Sequence, residues 1–331
     1  MQPPSFPQAR PRRLRRTPSL RTLVRETRLT PDRLVAPLFV KEGIAEPQRV
    51  SSMPGVMQHT VASLRDEAKD LRAAGVGAVL LFGVPATKDA QGSEAWNDDG
   101  VLQQALRALR DDHGDGMVLI ADTCLDEYTS HGHCGPVRDD GTVDNDAANA
   151  AYARAAISQG AAGADLVAPS GMMDGQVAAI RSALDAAGHA ESTGIMGYCT
   201  KYASALYGPF RDAAECAPEF GDRTTYQLDP ANADEGVREA LTDAAEGADI
   251  LLVKPAVAYL DLVWRVKEAT QMPLAAYHVS GEYAMIQAAA ERGWLDGDRA
   301  MAEVLTGIAR AGADLVITYA AGWMARRLAT G

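Results

Sequence analysis

Four times in this chain a glycine-centred phrase runs straight into a short apolar stretch: RAAGVGAV, GAAGADLV, AEGADILL and RAGADLVI. In each, an alanine-rich segment with helical spacing ends near the glycine and the chain turns at once into a β-branched run. Such strand signals occur at 35–40, 78–84, 117–125, 164–171, 194–201, 248–256, 274–281 and 313–321. They are apolar without alternation, the mark of strands buried on both faces of a parallel sheet. Amphipathic stretches such as NAAYARAAISQG, VAAIRSALDAAG, VREALTDAAEG and AMAEVLTGIARAG lie between them. Alternation of this kind defines an α/β fold. No G-x-G-x-x-G opens the first unit, so a dinucleotide-binding open sheet lacks its main support. The expected architecture is a (β/α)8 TIM barrel over residues 34–331, preceded by an N-terminal arm, residues 1–33.

Charge separates the same two parts. Residues 1–33 carry nine arginines against Glu26 and Asp32, while the whole chain sits at −12. The barrel is therefore strongly acidic and would repel nucleic acid. The basic segment can be read as a nucleic-acid arm, a transit peptide, or an arm that docks on an acidic body, its own or a neighbour's. No aromatics interleave the arginines, which favours docking. No run is apolar enough to span a bilayer and the N-terminus lacks a signal-peptide core, so a cytoplasmic protein without membrane contact is expected. Four cysteines in 331 residues are too few for a disulfide framework and suit thiols or metal ligands.

In a TIM barrel the chemistry gathers at the C-terminal ends of the strands. Those ends carry Asp122 and Cys124, Ser170, Tyr198 and Lys201, Lys254, Ser280 and Tyr319, all expected at one mouth. The chain has 26 arginines but only six lysines, and Lys254 stands inside the apolar run ADILLVKPA. A lysine placed there is either paired or has a depressed pKa. It is thus a structural ion pair or an amine neutral enough to form a Schiff base. Lys201 ends its own strand and is expected to face Lys254 across the mouth. One such lysine suggests a class I aldolase; two suggest an enzyme that handles two carbonyl substrates. A barrel kept as a binding scaffold would have no need of either.

The loop DTCLDEYTSHGHCG (122–135) belongs to the same mouth. Its Cys124, Asp126 and Cys134 can be a metal site, a nucleophile with its base, or a polar loop. Two thiolates and a carboxylate can bind tetrahedral Zn2+ with a water completing the site, though a hard oxygen in place of a thiolate weakens zinc selectivity.

Several longer motifs carry a resemblance. KYASALYGPFRDAA (201–214), DRTTYQLDPAN (222–232), ADILLVKPAVAYLD (248–261), AAYHVSGEYAM (275–285) and ADLVITYAA (313–321) resemble the porphobilinogen synthase, or 5-aminolevulinate dehydratase, family. PLFV, SMPGV, LFGVPATKDAQGSEAWNDDG and APSGMMDG agree with them. The resemblance implies condensation of two 5-aminolevulinate molecules into porphobilinogen with loss of two waters, in tetrapyrrole synthesis. It implies a barrel whose arm wraps a neighbour in a homo-octamer. By motif, Lys254 is similar to the Schiff-base lysine of the first-bound (P-side) substrate and Lys201 to that of the second (A-side). Ser280 and Tyr319 resemble the P-side carboxylate holders; Arg211, Arg223 and Gln227 resemble the A-side carboxylate grip, on a lid. Asp122 is similar to an acid beside the A-side amine, and Tyr198 and Tyr207 match pocket positions.

The resemblance also bears on metals. Zinc-dependent relatives place three cysteines where this chain has Cys124, Asp126 and Cys134, and metal-independent or magnesium-stimulated relatives have Ala, Asp and Asp. Glu239, fifteen residues before Lys254, has the spacing of a glutamate that holds an allosteric Mg2+ through waters at a subunit contact. Gly171 and Gln176 depart from the family's usual acid and arginine, and Tyr198-Cys199-Thr200-Lys201-Tyr202 departs from its common YSAKF.

Overall fold

The computed structural model describes residues 5–330, so residues 1–4 of the expected arm, and residue 331, lie outside the described residues. The eight strand signals form β1 (Leu34–Lys41), β2 (Ala78–Val84), β3 (Val118–Thr123), β4 (Leu166–Pro169), β5 (Gly194–Lys201), β6 (Ile250–Lys254), β7 (Leu274–His278) and β8 (Leu315–Thr318). They pair in parallel in chain order, and β8 closes on β1 through Leu34 and Val316. The fold is the expected TIM barrel. A short hairpin, Gln48–Arg49 with Met57–His59, extends the sheet beside the end of β1.

The helices are α1 (Pro18–Leu23), α2 (Val61–Ala73), α3 (Val101–His113), α4 (Asn145–Ala161), α5 (Gln176–Ala186) and α6 (Gly208–Ala214). They continue as α7 (Ala233–Glu246), α8 (Leu260–Thr270), α9 (Ser280–Glu291), α10 (Gly297–Arg310) and α11 (Ala321–Thr330). Caps start several of them: the Asp144 side chain accepts from Ala147 N before α4, and Asp296 accepts from Arg299 N before α10.

The repeated phrase has a structural meaning at both of its halves. Its glycines, Gly75, Gly163, Gly247 and Gly312, all end helices at φ between 90° and 122°, where a Cβ would be strained. The aspartate that follows in three of the four phrases stitches neighbouring strands. Asp165 Oδ2 accepts from Leu119 N at 2.7 Å, Asp249 Oδ2 from Ile195 N at 2.8 Å and Asp314 Oδ2 from Leu274 N at 3.0 Å. Each carboxylate occupies an amide at the start of the preceding strand. These stitches lie at the barrel floor, away from the mouth, where they serve stability.

Most of the basic N-terminal segment is exposed, while its end packs on the barrel, where Leu29 joins the core and Pro31 lies against Gly75. Among its described residues, 5–33, only Leu29 is buried, and Phe6, Leu14, Leu23 and Val24 are exposed. Several of its arginines hydrogen-bond to carbonyls of the segment itself. It is not fully extended: α1 forms where Thr17 caps the chain by accepting from Leu20 N.

Asp249, which has no cationic partner in an ion pair among the described residues, unlike Asp165 and Asp314, isolates the effect of a stitch. Asp249→Ala is expected to cost about 0.5–1.5 kcal/mol and Asp249→Asn less, since the amide oxygen keeps an acceptor. The shift in urea midpoint at constant slope measures it.

Candidate active site

Lys201 and Lys254 end adjacent strands, and their Cα positions are partners in the β5–β6 register. They therefore stand side by side rather than facing each other across the mouth. An irregularity in β5 brings this about. Gly197 pairs with Leu251 and Thr200 with Val253, so β5 holds one residue more than β6 over the same span. Tyr198 and Lys201, three apart, would point to opposite faces of a regular strand. With the extra residue both turn inward: the Lys201 and Lys254 ammonium nitrogens lie 5.5 and 5.2 Å from the Tyr198 ring centre. Thr200 instead turns outward to α7, where its hydroxyl donates to the Gly236 carbonyl at 2.8 Å.

Lys254 Nζ sits inside an aromatic cage, 4.6 Å from the Tyr277 ring centre, 5.0 Å from Phe210 and 5.1 Å from Tyr207. Burial, and then the charge of Lys201, lower its pKa to about 7. Lys201 Nζ donates to the Ser170 carbonyl. Ser170 Oγ donates at 3.4 Å to Asp122 Oδ2, while Asp122 Oδ1 is buried without a partner. Burial and the charge of Asp126 push Asp122 up to about 7, against the pull of both lysines.

A lid covers this pair. Residues 202–232 leave β5, form α6 and return to its end, where Leu228 N donates to the Lys201 carbonyl at 3.0 Å and Ala203 N to the Leu228 carbonyl at 2.8 Å. Ser280 ties the lid to α9: its hydroxyl accepts from Phe210 N at 3.0 Å and donates to the Leu206 carbonyl at 3.3 Å. Tyr207 OH donates to the carbonyls of Tyr202 and Lys254, and Tyr319 OH bonds Tyr277 OH at 3.1 Å. Among the described residues, the buried Gln227 finds a partner for neither amide atom, and Arg211 Nε has none either. Arg223 is engaged through its two terminal nitrogens: it donates to Asp126 Oδ2 at 2.8 Å and to the carbonyls of Gly132 and Cys216, both at 2.9 Å, while its Nε has no partner among the described residues.

Beneath the lid, one sulfur each from Cys124 and Cys134 and an oxygen of Asp126 lie within 4.8 Å of one another, all buried. A hydrogen bond from the Cys124 thiol, with help from Arg223, lowers Cys134 to about 7. Burial pushes Asp126 up, but the charges of Arg223 and Lys201 outweigh it and hold the carboxyl far below its usual range. Two sulfurs, one poised as thiolate, and an ionised carboxylate fit a divalent metal ion. Asp122, Cys124 and Glu127 form a second group within the same reach. His131 and His133 serve the loop and lid: His131 Nε2 bonds the Ala90 carbonyl, His133 the Tyr226 hydroxyl and the Phe220 carbonyl.

Glu239 lies apart from the lysines, half-buried on α7, and lines a cavity of about 690 Å³ with Asp174, Glu235 and Gln227. Burial and the charges of Asp174, Glu235 and Glu246 raise its pKa. Gly171 also finds a reason. A Cβ there would lie 2.0 Å from Tyr152 OH, which donates to the Cys134 carbonyl at 2.6 Å. Tyr152 occupies the space that a side chain at 171 would need. Gln176 is buried at the start of α5 and accepts from Met173 N at 3.2 Å.

Sequence reasoning passed over the cage residues Tyr277 and Phe210, the buried Glu127 with both oxygens unpartnered, and Cys216 on the lid. Alternation places Tyr277 inward on β7, and that signal was available. Nothing local to 208–216 shows that the segment folds back over the mouth.

A closed parallel barrel with two buried amines at the C-terminal ends of adjacent strands, under a polar lid, suits an enzyme acting on carbonyl substrates. The family described as delta-aminolevulinic acid dehydratase matches residues 8–327. Delta-aminolevulinic acid dehydratase of Mycobacterium tuberculosis (strain ATCC 25618 / H37Rv) is 55% identical over 97% of this chain and 98% of its own length. That of Bacillus subtilis (strain 168) is 49% identical over 96% and 98%. A crystal structure of the Toxoplasma gondii ME49 enzyme, in complex with the reaction product porphobilinogen, superposes with a TM-score of 0.94 at 44% identity, covering 97% of this chain and 91% of that one. The chain belongs to the delta-aminolevulinic acid dehydratase (porphobilinogen synthase) family. It is a hydro-lyase of porphyrin biosynthesis, condensing two 5-aminolevulinate molecules to porphobilinogen.

Only a neutral amine attacks a carbonyl, and the folded Lys254 loses its proton near pH 7. Borohydride trapping of a keto acid such as levulinate at Lys254 should therefore rise as pH passes upward through about 7 and level off above it. Peptide mapping across a pH series checks this; a rise delayed to the range of an ordinary lysine, about 10.4, would contradict the cage.

Proposed function

We propose that the condensation proceeds through Schiff bases on Lys254 (P-side) and Lys201 (A-side). The observation that carries this reading is the register of the two lysines on adjacent strands. The uncharged Lys254 amine adds to the keto carbon of the first 5-aminolevulinate, and water leaves as the imine forms. Lys201, oriented by the Ser170 carbonyl, does the same for the second. One carbon–carbon and one carbon–nitrogen bond then join the substrates, and both lysines are released. Asp122, balanced near pH 7 beside both amines, suits proton transfer at the A-side amine.

Ser280 and Tyr319 take the P-side carboxylate. Arg211, Arg223 and Gln227 take the A-side carboxylate, the unpartnered atoms of Arg211 and Gln227 being free to do so. For Ser280 this means exchanging present contacts for substrate, whereas Arg223 offers its unpartnered Nε and keeps Asp126. Tyr207 holds the Lys254 carbonyl and walls the P-side pocket with Tyr198.

Cys124, Asp126 and Cys134 are our candidates to hold Zn2+, which when bound supplies a Lewis acid beside the A side. Glu239, with Glu235 and Asp174 along its cavity, is our candidate for an allosteric Mg2+ held through waters, as that ion's reluctance to dehydrate favours. We read residues 1–33 as an oligomerisation arm and 34–331 as the catalytic barrel, in a homo-octamer built through the arms. Exposed apolar side chains on a basic arm, opposite an acidic barrel, support that. Four free cysteines suit a reducing cytoplasm.

Metal-stripped protein given 5-aminolevulinate should form porphobilinogen, faster with Mg2+, and the stimulation should vanish in Glu239→Ala. Lys254→Ala should make none. Normal turnover by Lys254→Ala would refute the imine mechanism, and full dependence on Zn2+, abolished by Cys124→Ala and indifferent to Mg2+, would refute the ranking of metals.

Removal of residues 1–30 should leave a folded barrel of lower mass by light scattering. An unchanged octamer after that truncation would rule out the arm.

A further inference from the structure

Two lid residues converge on one loop carboxylate. Arg223 donates to Asp126 Oδ2 at 2.8 Å, the two side chains being 5% and 3% exposed. The Cys216 thiol also hydrogen-bonds Asp126, and the Cys216 carbonyl accepts from Arg223 at 2.9 Å. The same Asp126 lies within 4.8 Å of the Cys124 and Cys134 sulfurs. One carboxylate thus belongs both to a candidate metal site and to the lid.

We propose that Arg223 is the positioning partner of Asp126 in that metal site, so that lid order and metal affinity are tied together through this carboxylate. The inference rests on the metal reading of the loop given above. Two considerations support it. Two thiolates and a carboxylate around a divalent cation leave one net negative charge, which a sealed site tolerates poorly; the guanidinium cancels it. Second, a thiolate offers a metal one atom, whereas a carboxylate offers two and turns about its terminal torsion. Arg223 occupies Oδ2 and fixes that torsion, leaving the other oxygen for the metal, as hydrogen-bonding partners commonly do for metal-bound carboxylates. A chain with cysteine at 126 has no such torsion to fix. The dependence on Arg223 is therefore a consequence of having aspartate there.

Because coupling between two binding events is reciprocal, metal should order the lid by the factor that lid order raises metal affinity. The test uses full-length, metal-stripped protein and Co2+ alone, without substrate, reading the thiolate-to-cobalt absorption and the affinity by chelator competition. Arg223→Gln should weaken Co2+ binding about 10–100-fold, and Arg223→Lys, which keeps charge but loses the planar fork, by less. In an Asp126→Cys background the Arg223→Gln effect should largely disappear, as the coupling term of the double-mutant cycle. Co2+ should slow proteolysis of residues 215–229 in the unaltered protein but not in Arg223→Gln. Co2+ affinity unchanged in both Arg223 variants, or an equal loss in both backgrounds, would overturn the proposal. Failure of the unaltered protein to take up Co2+ would sink the metal reading and this inference with it. Lys254-dependent porphobilinogen formation is read separately and tells that failure from a failure of the condensation mechanism.

Discussion

Two amines buried side by side are the constraint around which the mouth of this barrel is organised. The Lys201 charge makes a charge on Lys254 more costly, and the cage around Lys254 withholds the water that would screen the pair. The molecule answers with polar groups of opposite sense. Asp122 lies close enough to pull on both, the Ser170 carbonyl holds Lys201, and Asp126 contributes a fixed negative charge. Lys254 and Asp122, which elsewhere titrate several pH units apart, are thereby both brought to about 7.

The loop after β3 and the lid after β5 are organised as one unit. Arg223 joins them from the lid side, while Tyr152 on α4 reaches the loop from below through the Cys134 carbonyl. Gly171 clears the room that Tyr152 needs. Gly171, a departure from the usual acid of the family, is in this chain the gap into which a buried tyrosine fits.

The barrel was legible in the sequence because its signals are local. A glycine that must take a left-handed conformation, followed by a β-branched run, declares both the end of a helix and the start of a strand. Lys254 and Lys201 were legible for a related reason: a lysine within an apolar run is anomalous wherever it occurs. Their side-by-side placement was not, since it depends on a pairing register between strands separated by the whole lid and α7. Arg223 was identified by motif as a carboxylate grip, but its partner Asp126 lies 97 positions away, and no spacing rule connects them. The three aspartate stitches were visible as letters of a repeat, yet their function appeared only once each was seen to bond the preceding strand.

The extra residue in β5 makes the number of amines at the mouth a matter of phase. With Gly197 opposite Leu251, a regular strand would bring Thr200 level with Lys254 and carry Lys201 one step beyond, onto the other face. The barrel would still close, and its mouth would hold a single lysine. The number of amines here is set by backbone pairing and not by composition, since the same side chains in a slipped register would leave Lys254 alone at the mouth.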